Sequence, residues 1–92
     1  MKKRKRRQTL NKASLVFHLE EALEELTFTI DNIKKDADYS NADFRIAIEH
    51  LYHHINFAWN TRHVPAKEID KLNRRKFYKW RRFPQDIDLA DV

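Results

Sequence analysis

Three of the five histidines lie within five residues of one another, and their spacing suits metal binding. His50 and His54 are four residues apart, so on a helix both rings face one side and can hold a metal ion together. A zinc site needs three or four ligands, however, and His53 points about 100° away from His54. We expect His18 and His63 to lie far from His50, near the open end of a helical hairpin. We therefore interpret the histidines as polar or partly packed residues, and predict neither a metal site nor another cofactor.

Arg45 and His50 form a second pattern, Arg-x-x-x-x-His. It resembles the signature of the HEPN ribonucleases, which are small, all-helical and often dimeric. The resemblance implies that Arg45 and His50 cleave RNA as a pair, in a site composed across a dimer. The alternative is that Arg45 lies on the solvent face of a helix and that His50 is structural.

The N-terminal residues are strongly basic, with six cations and no acid among residues 1–7. These cations are Lys2, Lys3, Arg4, Lys5, Arg6 and Arg7. Such a cluster binds nucleic acid by neutralising phosphates, and it carries no base specificity of its own. The alternative is an arm that only keeps the protein soluble.

A second basic segment, from Arg74 to Phe83, interleaves cations with aromatic residues. The cations that we predict to contact nucleic acid are Arg74, Arg75, Lys79, Arg81 and Arg82. Interleaved aromatic and basic side chains stack on bases and neutralise phosphates. Phe77 and Trp80 also have the i, i+3 spacing of a helix that packs on a core, so packing alone is the other interpretation.

The middle of the chain is acidic, since residues 8–73 carry seven cations and eleven acids. Four of the acids form a run: Glu20, Glu21, Glu24 and Glu25. Like charges four residues apart on a helix repel one another by a few tenths of a kcal/mol. We expect this run to be a solvated face or a dock for cations, and predict that Arg74, Arg75 or Lys79 neutralises part of it.

Two apolar stripes at helical spacing must position these residues. The first stripe comprises Val16, Leu19, Leu23, Leu26, Ile30 and Ile33, and the second comprises Phe44, Ile48, Leu51, Ile55 and Ala58. They predict two helices that fold back on each other through a short polar connector and pack along their stripes. We expect the first helix to follow an Asn11 cap, with Ser14 as the alternative start, and to end near Lys35. The second should run from about Asn41 to Asn60, behind a capping box of Ser40 and Asp43.

A shorter third helix is predicted to begin at Pro65 and to stop at Phe83-Pro84, with Asn73 as a point where it can break in two. We expect it to cover one side of the hairpin through Phe77, Trp80 and Phe83. Phe28 and Ile46 lie nearly opposite the stripes, where nothing in one chain covers them. We therefore predict a homodimer in which two hairpins form a four-helix bundle.

Composition excludes several classes of protein. With 92 residues, of which 41% are apolar, the chain forms one small domain. The absence of glycine excludes glycine-rich phosphate loops, and the absence of cysteine excludes disulfides and thiolate sites. No apolar run approaches the roughly 20 residues of a membrane span. We predict a cytoplasmic protein with no membrane contact.

The sequence therefore predicts an all-α fold: a long antiparallel helical hairpin with a short third helix. Residues 1–10 are predicted to form a disordered basic arm, residues 11–84 a single helical domain, and residues 85–92 an irregular tail. The predicted function is non-enzymatic binding, with nucleic acid contacted through the arm and the basic C-terminal helix. The alternatives are a small HEPN-like ribonuclease or toxin, and a module for protein–protein interaction.

Overall fold

The structure, a computed structural model that describes residues 9–92, is an antiparallel helical hairpin followed by two short helices. The helices are α1 (Lys12–Lys35), α2 (Asn41–Asn60), α3 (Ala66–Ile69) and α4 (Arg74–Trp80), and the tail contains a 3-10 helix (Leu89–Asp91). The described residues contain no strand, so the all-α prediction is confirmed. The cations predicted for the arm, Lys2–Arg7, lie outside the described residues.

Side-chain caps mark the N-terminal starts of the two long helices, as predicted. The Asn11 side chain accepts a hydrogen bond from the backbone N–H of Ser14 at 3.1 Å. The hydroxyl of Ser40 accepts from the backbone N–H of Asp43 at 3.2 Å, and the Asp43 carboxylate accepts from the Ser40 N–H at 3.0 Å. These bonds satisfy N–H groups that the first turn of a helix leaves without partners. Both helix starts are therefore determined by local sequence.

The C-terminal helical segment breaks at Asn73, the position identified from the sequence. The Asn73 side chain caps α4 by accepting from the backbone N–H of Lys76 at 2.9 Å. The preceding turn, α3, is only four residues long. The short third helix expected from the sequence is therefore two shorter ones, joined by residues 70–73.

The two long helices pack side by side, but α1 does not use its apolar stripe for the contact. The buried residues of α1 are His18, Ala22 and Thr29. Each lies one position before a member of the first stripe, and one residue turns a helix by 100°. The small Ala22 allows close approach of α2, while His18 and Thr29 bond to His54 and Glu25. The prediction that the first stripe lies between the helices is therefore wrong.

The displaced stripe forms an exposed surface together with α2, which we call the apolar face. It comprises the exposed Val16, Leu19, Leu23, Leu26, Ile30 and Ile33 of α1, the exposed Phe44 and Ile55 of α2, and the half-buried Ile48 and Leu51 of α2. In α2, Ile48 and Ile55 come one position after the half-buried Ala47 and His54. Three members of the first stripe likewise come one position after the buried residues of α1. Because the helices are antiparallel, this common rotation turns both rows to one side of the hairpin.

The opposite side of α2 carries α4. The rings of Phe57 and Trp80 meet edge to face at 5.8 Å between centroids, and the Phe57 and Phe77 rings are 6.1 Å apart. Trp80 is buried, which confirms the predicted packing of this helix on the hairpin. The buried apolar residues of the described chain are only Ala22, Phe57, Ala58 and Trp80. The core is therefore small and lies toward the open end of the hairpin.

The C-terminal tail returns to the end of α2 through Asp86. The indole N–H of Trp59 donates to the Asp86 carboxylate at 2.9 Å, and the Arg62 guanidinium lies 3.6 Å from it. The Trp59 hydrogen bond is the main cause that lowers the pKa of Asp86. Among the described helices, none has an apolar stretch long enough to cross a bilayer.

Candidate nucleic-acid interface

Helix α4 presents a set of exposed cations around an aromatic ring, which we call the basic surface. It comprises Arg74, Arg75, Lys79, Arg82 and Tyr78. Most of these residues, with Asn73 and Lys76, line a shallow depression of about 620 Å³. Tyr78 is 51% exposed, so its ring is available for stacking. The arrangement can bring a base or sugar against the ring while the cations contact phosphates.

The cations of the basic surface have no acidic partner within residues 9–92. The ion pairs in this part of the chain include none of Arg74, Arg75, Lys79, Arg81 and Arg82. On α4, only Lys76 is paired, at 3.6 Å from Glu68. The prediction that these cations neutralise the glutamates of α1 is therefore wrong, because α4 packs against α2. Glu25 instead lies 3.5 Å from the His50 ring.

Two asparagines of α2 hold the C-terminal end of α4. The Asn60 amide donates to the carbonyls of Trp80 and Arg82, both at 2.8 Å. The buried Asn56 amide donates to the Arg81 carbonyl at 3.1 Å. The last carbonyls of a helix have no intrahelical partner, so these amides satisfy groups that otherwise need water. These hydrogen bonds attach α4 to the hairpin without using the side chains of its cations.

Arg81 differs from the other predicted contact residues because its side chain is stacked. Its guanidinium lies 4.8 Å from the Tyr78 ring centroid and 5.2 Å from that of Phe77. Such cation–π contacts orient the guanidinium while leaving its charge intact. Arg81 therefore connects the basic surface to the groove described below.

The predicted N-terminal contact residues, Lys2–Arg7, fall outside the described residues, but the start of the described chain is anchored. The backbone N–H of Asn11 donates to the Arg62 carbonyl at 2.7 Å, and its side-chain amide donates to the Val64 carbonyl at 2.8 Å. The Thr9 carbonyl lies 3.3 Å from the His63 ring. The chain therefore enters at the open end of the hairpin, the end toward which α4 also packs.

The histidines meet in a way that the sequence did not reveal. His18 of α1 contacts His54 of α2, with 3.2 Å between their Nδ1 atoms, so one ring donates and the other accepts. Burial lowers the pKa of His18 to about 4, and the neighbouring His54 and His53 add to the effect. Burial is also the largest cause that lowers the pKa of His53. Near neutral pH the rings of His18 and His53 are therefore uncharged.

An open groove of about 1130 Å³ lies between the hairpin and the segment that follows α4. Its lining includes Glu21, Glu25 and Phe28 of α1, His50 and His53 of α2, and Arg81 and Phe83. Within residues 9–92, no group of three or more histidine, aspartate or glutamate side chains is placed to hold a metal ion. The groove thus has acidic and aromatic walls.

The residues of the HEPN-like pattern each have a carboxylate neighbour in the same chain. Arg45 donates from Nε to Glu49 at 3.2 Å, and the His50 ring faces Glu25 on α1. Residues five apart on a helix point about 140° away from each other. Arg45 and His50 therefore do not converge within one chain.

The sequence analysis included Tyr78 in the basic–aromatic segment without singling it out, and it missed the roles of Asn56 and Asn60. The four-residue spacing of the two asparagines was the available signal, since it places both amides on one side of α2. Comparison with protein families, with curated proteins and with solved structures finds no match to this chain.

Proposed function

We propose that this protein is a non-enzymatic nucleic-acid-binding protein that contacts phosphates through the basic surface of α4. The observation that carries the proposal is the group of exposed cations on α4 that have no acidic partner within residues 9–92. An exposed surface of this kind attracts polyanions, because bound phosphates release condensed counterions.

Because of Tyr78, we expect the protein to prefer single strands over duplexes. An exposed aromatic ring flanked by cations stacks on an unpaired base, and such stacking is worth about 1–3 kcal/mol per base. Phosphate contacts carry no sequence information, so the binding is expected to tolerate any sequence. Lys2–Arg7 add further phosphate contacts in this proposal.

The test is fluorescence anisotropy with a labelled single strand and a duplex of mixed sequence, at about 50 and 200 mM salt. The triple variant Arg75→Gln, Lys79→Gln, Arg82→Gln should bind at least about tenfold more weakly, with a smaller salt dependence. The matched control removes three exposed cations elsewhere: Lys34→Gln, Lys35→Gln, Lys67→Gln. A control that loses as much affinity as the α4 variant, or a full chain that binds neither probe, contradicts the proposal.

The contribution of the arm is measured separately with a chain that starts at Gln8. If Lys2–Arg7 contact phosphates, this shortened chain has a lower affinity and a shallower salt dependence than the full chain.

The stacking role of Tyr78 is tested with Tyr78→Ala. This variant should lose more affinity for the single strand than for the duplex.

A second candidate function is a protein–protein interaction module that works as a homodimer, as expected from the sequence, but through the apolar face instead of the side that carries Phe28 and Ile46. The observation that favours it is the apolar face, which no part of residues 9–92 covers. Nucleic-acid binding absent in the anisotropy test, together with a stable dimer, selects this second function.

A further inference from the structure

We infer that the apolar face is the interface between two copies of this chain, which pack face to face about a twofold axis. The face runs the length of both long helices. Large aliphatic side chains fill it, and Leu23 at its centre is 62% exposed. A soluble monomer rarely leaves a contiguous apolar surface of this extent in water.

The area involved matches a stable dimer. The ten large side chains of the face leave on the order of 800 Å² exposed, which is what each partner of a standard interface buries.

The stability of the single chain also requires a partner. Only four apolar residues are buried in the described chain, and two of them are alanines. A domain of this size rarely folds on so small a core without a staple such as a disulfide or a second subunit. The chain has no cysteine, so a disulfide is excluded.

The chemistry of the face favours a second copy over an unrelated protein. Between Lys12 and Lys34, the residues of α1 that point to this side are apolar, so two identical faces meet without like charges opposed. The same patch on both partners is the requirement for a twofold interface. Four helices packed in two layers then form a bundle of ordinary geometry.

The experiment measures mass by light scattering and sedimentation equilibrium on the full chain. We expect about 22 kDa, twice the 11.2 kDa of one chain. Leu23→Glu places a charge at the centre of the face and should weaken the dimer by about 100-fold or more. The matched control is Phe28→Glu, on the same helix and equally exposed at 64%, but in the groove on the opposite side. This variant should remain dimeric.

A thiol-protection measurement keeps the inference testable if Leu23→Glu fails to fold. The chain lacks cysteine, so Leu23→Cys and Phe28→Cys each introduce a single reporter. The thiol at position 23 should react slowly at high protein concentration and faster on dilution, whereas the thiol at position 28 should react at one rate throughout. A monomeric full chain at about 100 µM, or equal protection at both positions, overturns the inference.

Discussion

At the scale of single residues, His18 and His54 form a direct contact between the two long helices. The rings approach through their Nδ1 atoms, and His18 also stacks on Phe57 at 4.8 Å between centroids. One ring must accept a hydrogen bond from the N–H of the other, so the contact requires at least one neutral imidazole. The lowered pKa of His18 expresses the same requirement, because a charge there would be buried beside His54 and His53.

The first prediction at this scale concerns acid. The pKa of His18 is about 4 in the folded chain and near 6.5 in the unfolded chain. The unfolded state therefore binds more protons between these values, so the stabilisation is complete above pH 6.5 and declines as the pH falls toward 4. The slope is at most about 1.4 kcal/mol per pH unit for one such group. Urea unfolding between pH 7.5 and 4, at one protein concentration, measures it.

His18→Gln should flatten this decline, because the substitution removes the group whose pKa is lowered. His63→Gln is the control, since His63 lies at the open end away from the pair, and it should leave the slope unchanged. Parallel pH curves for His18→Gln and the unaltered chain would show that His18 is not the source. His53, whose pKa is also lowered, leaves a residual slope in the His18 variant.

At the scale of elements, local signals predicted where helices begin, and tertiary contacts decided how they rotate. The Asn11 cap, the Ser40–Asp43 capping box and the break at Asn73 are each encoded within four residues, so they could be read from the sequence. The rotation of α1 could not be predicted from the sequence, because an apolar stripe packs equally well against the other helix of its hairpin or against another surface. The sequence did not predict the pairing of His18 with His54 either, because this contact depends on the rotation of α1.

The prediction at this scale concerns the asparagines that hold α4. Asn60→Ala leaves the carbonyls of Trp80 and Arg82 without their donor and should lower the free energy of unfolding by about 1–2 kcal/mol. It should also speed tryptic cleavage between Arg74 and Arg82, because α4 detaches more often. Asn41→Ala, at the first residue of α2, is the control. Unchanged cleavage in Asn60→Ala would mean that ring packing alone holds α4.

At the scale of the whole molecule, the chain is extended. Its radius of gyration is 16.6 Å, against about 12 Å for a compact domain of this length. The long hairpin contributes to this value, since a helix of the 24 residues of α1 is about 36 Å long. The basic segment was predicted from composition, and its Arg74, Arg75 and Lys79 do lie exposed on α4, with Arg82 exposed just beyond the end of that helix. Its orientation, on the side of α2 that carries Phe57 and Asn60, depends on contacts far apart in sequence.

That orientation leads to the last prediction. In a face-to-face pair the two copies of α4 lie on opposite outer sides, so they cannot grip one short strand together. We expect the pair to tether two separate strands, seen as energy transfer between donor-labelled and acceptor-labelled oligonucleotides when protein is added. Leu23→Glu should still bind each strand but should abolish the transfer, and Phe28→Glu should preserve it.

The placement of α4 on the far side of α2 thus changes what kind of binder this chain can be. A protein with its cations beside its self-association surface encloses a single ligand, as a clamp does. In the proposed pair each copy of α4 lies apart from the self-association surface, so the proposed binder would hold two strands at separate sites and crosslink them. Its occupancy would then depend on the local concentration of nucleic acid as well as on the affinity of each site for phosphate.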